Sequence, residues 1–126
     1  MTEILRSGVD ICSIARVDEV YQKFGEKFLR RILTQKEAAY VQSSSRHLIT
    51  RLAARFAAKE AMMKVLGTGI VGAGWHEIEV AKAPSGEPSI LLHGRAKIRA
   101  ERLGLRKISL SMSHEKEYAV AFIVAM

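Results

Sequence analysis

The stretch RLAARFAAKEAMMKVLGTG, Arg51 to Gly69, constrains this chain more than any other. Its apolar residues recur at helical spacing, and Gly67 stands where a helix would stop. One long helix is predicted, from His47 to Leu66. With Leu52 at zero on a 3.6-residue wheel, Met63, Phe56 and Ile49 lie within about 60° of it and Ala53 at about 100°. Glu60 falls at about 80°, inside the apolar stripe, with Lys64 about 40° further round. A core-facing carboxylate is costly unless it is paired, hydrogen-bonded or bound to a cation. The plain alternative is an i,i+4 pair of Glu60 with Lys64 at the edge of the core. Ala53, Ala54, Ala57, Ala58 and Ala61 give the helix a small-residue face, suited to close packing on a sheet or on another subunit.

A second acid poses the same problem. Glu3 to Ala15, EILRSGVDICSIA, is rich in β-branched residues and lacks helix caps, which predicts a strand. Asp10 then shares a face with Gly8, Cys12 and Ile14, a mostly apolar set. Gly8 marks a bulge or a close approach to the backbone. Two acids turned inward, one from a strand and one from a helix, suggest a hard cation. Mg²⁺ takes one or two carboxylates and completes its shell with water and substrate phosphates. Phosphate chemistry is the expectation, with no substrate named.

A chain of 126 residues with 48% apolar and 26% charged residues is expected to form one domain, 1–126, with a modest core. The N-terminus turns polar at once, and no apolar run approaches the ~18 residues needed to cross a membrane, so neither signal peptide nor membrane insertion is expected. The lone Cys12 excludes an internal disulfide framework and a Cys-based zinc site, and suits a reducing cytoplasm. The net charge of +7 implies an acidic partner. One candidate is nucleic acid, yet aromatics are only 6% and no RNP-like or zinc-finger pattern appears. A small basic nucleic-acid-binding module would also leave Asp10 and Glu60 unexplained. A structural subunit of a larger assembly is the third class.

Along the rest of the chain, Arg16 to Leu33 alternates apolar and basic residues at helical spacing, bent or split at Gly25. Thr34-Gln-Lys-Glu37 is a capping-box signature for a short helix to about Gln42. Gly67 to Gly74, GTGIVGAG, lacks the phosphate-loop pattern and follows a helix end, so it reads as a flexible wall beside a site. Trp75–Ala83 and Ser89–His93 are predicted strands around a turn at Ser85–Pro88, with Ile78 and Val80 alternating against Glu77 and Glu79. Gly94–Leu103 is predicted as an amphipathic helix ended by Gly104. Lys107–Ser113 and Tyr118–Ala125 are predicted strands around a turn that carries His114. The fold class expected is α+β, an antiparallel sheet packed against a long central helix.

Four of these stretches, GVDICSIAR at 8–16, RFAAKEAMMKVLGTG at 55–69, GEPSILLHGRA at 86–96 and SMSHEKEYAVAFIV at 111–124, together resemble the holo-acyl-carrier-protein synthase branch of the phosphopantetheinyl transferases, in the family's order and spacing. The resemblance implies Mg²⁺-dependent transfer of the 4′-phosphopantetheine arm of coenzyme A to a serine of an acyl carrier protein, in support of fatty acid biosynthesis. Adenosine 3′,5′-bisphosphate is then released. It places Asp10 and Glu60 on the metal-ligand positions and Lys64 near the pyrophosphate, making these three the catalytic set. It places Arg55 and His114, with Lys64, on coenzyme A-binding positions. It also implies a homotrimer with sites between subunits. His114 is followed by Glu115 where the family pattern leads one to expect a small or hydroxyl residue.

The residues themselves agree on several points. A serine hydroxyl needs a base, and Glu60 or a metal-bound water held by Asp10 can take its proton. Arg55 lies nine residues before Lys64, about 180° round the helix, so the two serve one pocket only if a ligand is shared between subunits. Arg16, Lys23, Phe24 and Lys27, with Arg30 and Arg31 beyond them, are the expected docking face for an acidic acyl carrier protein. A solvated helix face is the alternative.

Overall fold

Helix α4 (Leu48–Leu66) is the axis on which the other elements pack; the computed structural model describes residues 4–126, with backbone alone at Ile70 and Val71. It ends as its sequence predicts, with Gly67 in the left-handed region at φ 70° and its N–H donating to the carbonyls of Met63 and Lys64. Two arginines cover other carbonyls of the last turn: Arg6 Nε donates to Val65 O at 2.6 Å and Arg99 Nε to Leu66 O at 3.0 Å.

Before α4 come β1 (Arg6–Ser13), α1 (Ile14–Phe24), α2 (Glu26–Ile32) and α3 (Gln35–Gln42). The first strand is shorter than predicted. Ile14 and Ala15 open α1 because Ser13 caps it, its hydroxyl accepting from Arg16 N at 3.2 Å; Glu3 lies outside the described residues. Gly25, at φ 56°, splits the basic helical stretch into α1 and α2. Thr34 and Glu37 form the predicted capping box of α3.

After α4 come α5 (Gly69–Gly72), a single 3₁₀ turn (Trp75–Glu77), β2 (Ile78–Lys82), β3 (Pro88–Leu92), α6 (Gly94–Arg102), β4 (Ile108–His114) and β5 (Tyr118–Ala125). The glycine-rich segment is thus partly helical. The strand expected from Trp75 begins at Ile78, because Glu77 bends back to accept from Gly74 N at 2.6 Å. Glu79 is not the solvent-facing partner that alternation suggested. It is 8% exposed, with His93 Nε2 2.9 Å from its carboxylate.

Among the described residues the architecture is α+β, with two antiparallel sheets rather than one: a three-stranded sheet ordered β1-β5-β4 and a β2-β3 hairpin. Gly8 and Cys12 of β1 and Ala119, Ala121, Ile123 and Ala125 of β5 turn toward α4 and are buried. The five alanines of α4 are 0–7% exposed, covered by the chain's own sheet. They are therefore not a face left open for another subunit. The open apolar face is the other side of the three-stranded sheet, where Val9 (52% exposed), Ile11 (64%) and Phe122 (47%) stand.

Candidate active site

Gly8 decides how near β1 comes to α4. A Cβ there would meet the Ala61 carbonyl oxygen at 2.2 Å, so only glycine allows the strand to lie against the helix backbone. Asp10, two residues on and on the same face, is thereby brought over the turn of α4 that carries Glu60 and Lys64. Lys64 Nζ lies 3.3 Å from Asp10 Oδ1 and donates to Val9 O at 2.8 Å. The ion pair of Lys64 is thus with Asp10 across elements, not with Glu60 within the helix.

Asp10 and Glu60 both line a cleft of about 330 Å³ walled by Cys12, Ser13, Arg16, Phe28 and Phe56. Burial, then the charge of Asp10, raises the Glu60 pKa above the ordinary carboxylate value; Lys64 partly opposes this. Burial and the same two carboxylates push the Cys12 thiol up to about 11, so it stays protonated and unreactive at neutral pH. The two carboxylates therefore share one partly desolvated cleft, in which the charge of Asp10 disfavours that of Glu60. A hard divalent cation fits that donor set. Among the described residues no group of three His, Cys, Asp or Glu side chains gathers into a metal site. An ion held there would therefore take two carboxylates from these residues and the rest of its shell from water or phosphate.

Arg55 turns to a different cleft, of about 660 Å³, between α3, α4 and the β2-β3 hairpin. It is 5% exposed, and its Nε is buried without a hydrogen-bond partner among the described residues. Its guanidinium carbon lies 4.5 Å from the Tyr40 ring centroid, and that of Arg51 lies 4.1 Å from the same ring. Lys82 Nζ donates to Tyr40 Oη at 2.8 Å, and this bond is the main cause of a lowered Tyr40 pKa. An orphaned buried guanidinium donor among further cations suits an anionic group. The sequence did not single out Tyr40 or Lys82, because they come together from α3 and β2, 42 residues apart. Neither lies in a motif.

His114 is exposed at the end of β4 and lines neither cleft. Arg16, Lys23, Phe24 and Lys27 are exposed along α1 and α2. Between these helices, α4 and Trp75 runs an apolar groove of about 820 Å³, with Lys27, Arg30 and Arg31 beside Phe24. It shares Val20, Phe28 and Phe56 with the carboxylate cleft and so runs on from it. The Val20 and Trp75 walls were not foreseen, since Trp75 arrives from beyond α4.

Residues 6–123 match the family model of the 4′-phosphopantetheinyl transferase superfamily, and the chain belongs to that superfamily. Within it, the chain is similar to holo-[acyl-carrier-protein] synthases. It is 46% identical over 122 residues to the one from Koribacter versatilis, covering 96% of this chain and 97% of that protein. The crystal structure of the Neisseria meningitidis synthase superposes with a TM-score of 0.88 at 37% identity, covering 96% and 97% of the two chains. The Helicobacter pylori synthase, solved in complex with coenzyme A, superposes with a TM-score of 0.83 at 31% identity, covering 95% and 99%. Nothing in these comparisons supports a nucleic-acid-binding module.

Proposed function

We propose that this chain moves the 4′-phosphopantetheine arm of coenzyme A onto a serine hydroxyl of an acyl carrier protein and releases adenosine 3′,5′-bisphosphate. The observation that carries this is the placement of Asp10 and Glu60, with Lys64 paired to Asp10, in one cleft that runs on into a groove flanked by basic residues.

Asp10 and Glu60 are the residues that would hold Mg²⁺, which supplies charge neutralisation at the pyrophosphate when bound. Lys64, more than half exposed beside Asp10, is free to swing its ammonium onto a phosphate oxygen. Glu60, whose proton affinity is raised by burial, can accept the serine proton, as can water beside Asp10. The Arg55–Tyr40–Lys82 cleft is assigned to the 3′-phosphoadenosine end of coenzyme A. Its orphaned guanidinium donor suits the 3′-phosphate.

Arg16, Lys23 and Lys27 steer the acidic carrier, whose apolar contacts settle in the Phe24 groove. The exposed sheet face of Val9, Ile11 and Phe122 is assigned to contact between subunits of a homotrimer, in which the carboxylate cleft of one chain faces the Arg55 cleft of the next. His114, solvent-exposed at the end of β4, is assigned to the same bound nucleotide. The buried Cys12 thiol suits a reducing cytoplasm, and the reaction supplies carriers for fatty acid biosynthesis.

Incubation with apo-acyl carrier protein, coenzyme A and Mg²⁺, followed by intact mass, tests the assignment. The carrier gains one phosphopantetheine, and omitting Mg²⁺ prevents the gain. No gain in the complete mixture refutes the reading.

A further inference from the structure

Lys59 is the largest fully buried side chain of the described residues, at 0% exposure, and the transfer chemistry leaves it unused. It stands on α4 one residue before Glu60. Its ammonium has three protons and three acceptors: Glu37 Oε1 at 2.7 Å, Trp75 O at 2.9 Å and Ile78 O at 2.5 Å. The Glu37 carboxylate is equally engaged. Oε1 also accepts from Thr34 N at 2.8 Å, and Oε2 accepts from Val80 N at 2.7 Å. One buried ion pair therefore ties α3, α4, the 3₁₀ turn and β2 to a single point.

Stability alone is a poor reason for such a pair. Apolar residues of similar volume commonly replace a buried ion pair at no loss of stability, because desolvation consumes the attraction between the charges. Location supplies a better reason. On one side, the Trp75 carbonyl held by Lys59 fixes a ring that stacks on Phe56 at 5.1 Å between centroids. Phe56 walls both the carboxylate cleft and the apolar groove. On the other side, the Val80 amide held by Glu37 fixes the strand that carries Lys82, and Glu37 and Val80 wall the Arg55 cleft.

We propose that Lys59 and Glu37 are positioning residues of the transfer reaction, holding the walls of the carboxylate cleft and of the Arg55 cleft at fixed places on the two faces of α4. The proposal rests on the functional reading above and adds to it two residues that touch neither reacting group.

The test is the double variant Glu37→Leu/Lys59→Met, which keeps the volume and removes both charges together. It leaves the Thr34 and Val80 N–H groups and the Trp75 and Ile78 carbonyls without these partners, so it is expected to fold but to melt below the parent. Transfer per folded molecule is expected to fall about 100-fold in kcat/KM, the scale of an ångström misplacement, with KM for coenzyme A raised as well as kcat lowered. The emission of Trp75, the only tryptophan of the chain, is expected to shift in the same variant. A folded double variant with parental kcat and KM overturns the proposal. If the double variant does not fold, Glu37→Gln decides. Its amide nitrogen abuts the Val80 N–H, so the β2 wall moves, and a raised KM for coenzyme A is expected. An unchanged KM there overturns the proposal. The unsubstituted protein, assayed alongside, separates these outcomes from an error in the assigned reaction, in which case it too would transfer nothing.

Discussion

Asp10, Glu60 and Lys64, the proposed reactive set, differ little in local sequence from a structural ion pair. Glu60 carries a carboxyl whose pKa is raised in the fold, chiefly by burial and then by Asp10. Between the ordinary value of 4.5 and that raised value, the folded chain binds more protons than the unfolded one, so stability declines as pH rises. Glu60→Gln removes this penalty. Its melting temperature without metal should match the parent's in acid and exceed it increasingly as pH rises through the window, while transfer is abolished. Thermal melts from pH 4 to 8 in chelator check this (a range set around the carboxylate pKa); a difference that shrinks with rising pH sinks the assignment. Asp10→Asn should likewise abolish transfer and keep the fold. Lys64 neutralises Asp10 in the free protein. Lys64→Ala should therefore lower turnover strongly yet tighten Mg²⁺ binding, read by calorimetry; weakened Mg²⁺ binding would place Lys64 in a different role.

Elements meet at the site because β1 and α4 touch backbone to backbone. The contact depends on Gly8, whose added Cβ would overlap the Ala61 carbonyl oxygen. Gly8→Ala should cost about 1–3 kcal/mol, the usual scale of overpacking, and displace Asp10 from Lys64. Denaturant unfolding gives the first quantity and transfer assays the second. Parental values in both would mean that β1 can move away freely. The cap of α3 has a comparable double use, since Glu37 closes the capping box and also accepts from Lys59 and Val80. A helix start legible as four residues of sequence thus becomes part of the tie between two clefts.

At the scale of the whole molecule, the exposed apolar sheet face is the feature a lone chain leaves unresolved. Val9, Phe122 and Ile11 stand beside one another across β1 and β5, Val9 directly opposite Phe122 in the register. Phe122→Asp should give a folded chain with native circular dichroism and a monomer's mass by light scattering. On the proposed trimer, the carboxylate cleft of one chain works with the Arg55 cleft of the next, so almost no transfer activity is expected. A fully active monomer would refute shared sites.

The long helix, its stop at Gly67, the split at Gly25, the capping box at Thr34 and the inward turn of Asp10 and Glu60 were all determined by sequence, because each follows from periodicity or from local backbone chemistry. So was the opposition of Arg55 and Lys64: Arg55 enters the cleft beside Tyr40, whereas Lys64 turns to Asp10 of β1. Tertiary structure alone decided that Lys64 pairs with Asp10, since 54 residues separate them and the helix offered Glu60 nearer at hand. It also decided that Tyr40 and Lys82 join Arg55, that Lys59 and Glu37 are buried together, and that the alanine face is covered from within. The physical reason is common to all four. Period and caps fix which way a side chain leaves its own element, whereas its partner depends on which other backbone comes close, and that is set by packing the whole chain around α4.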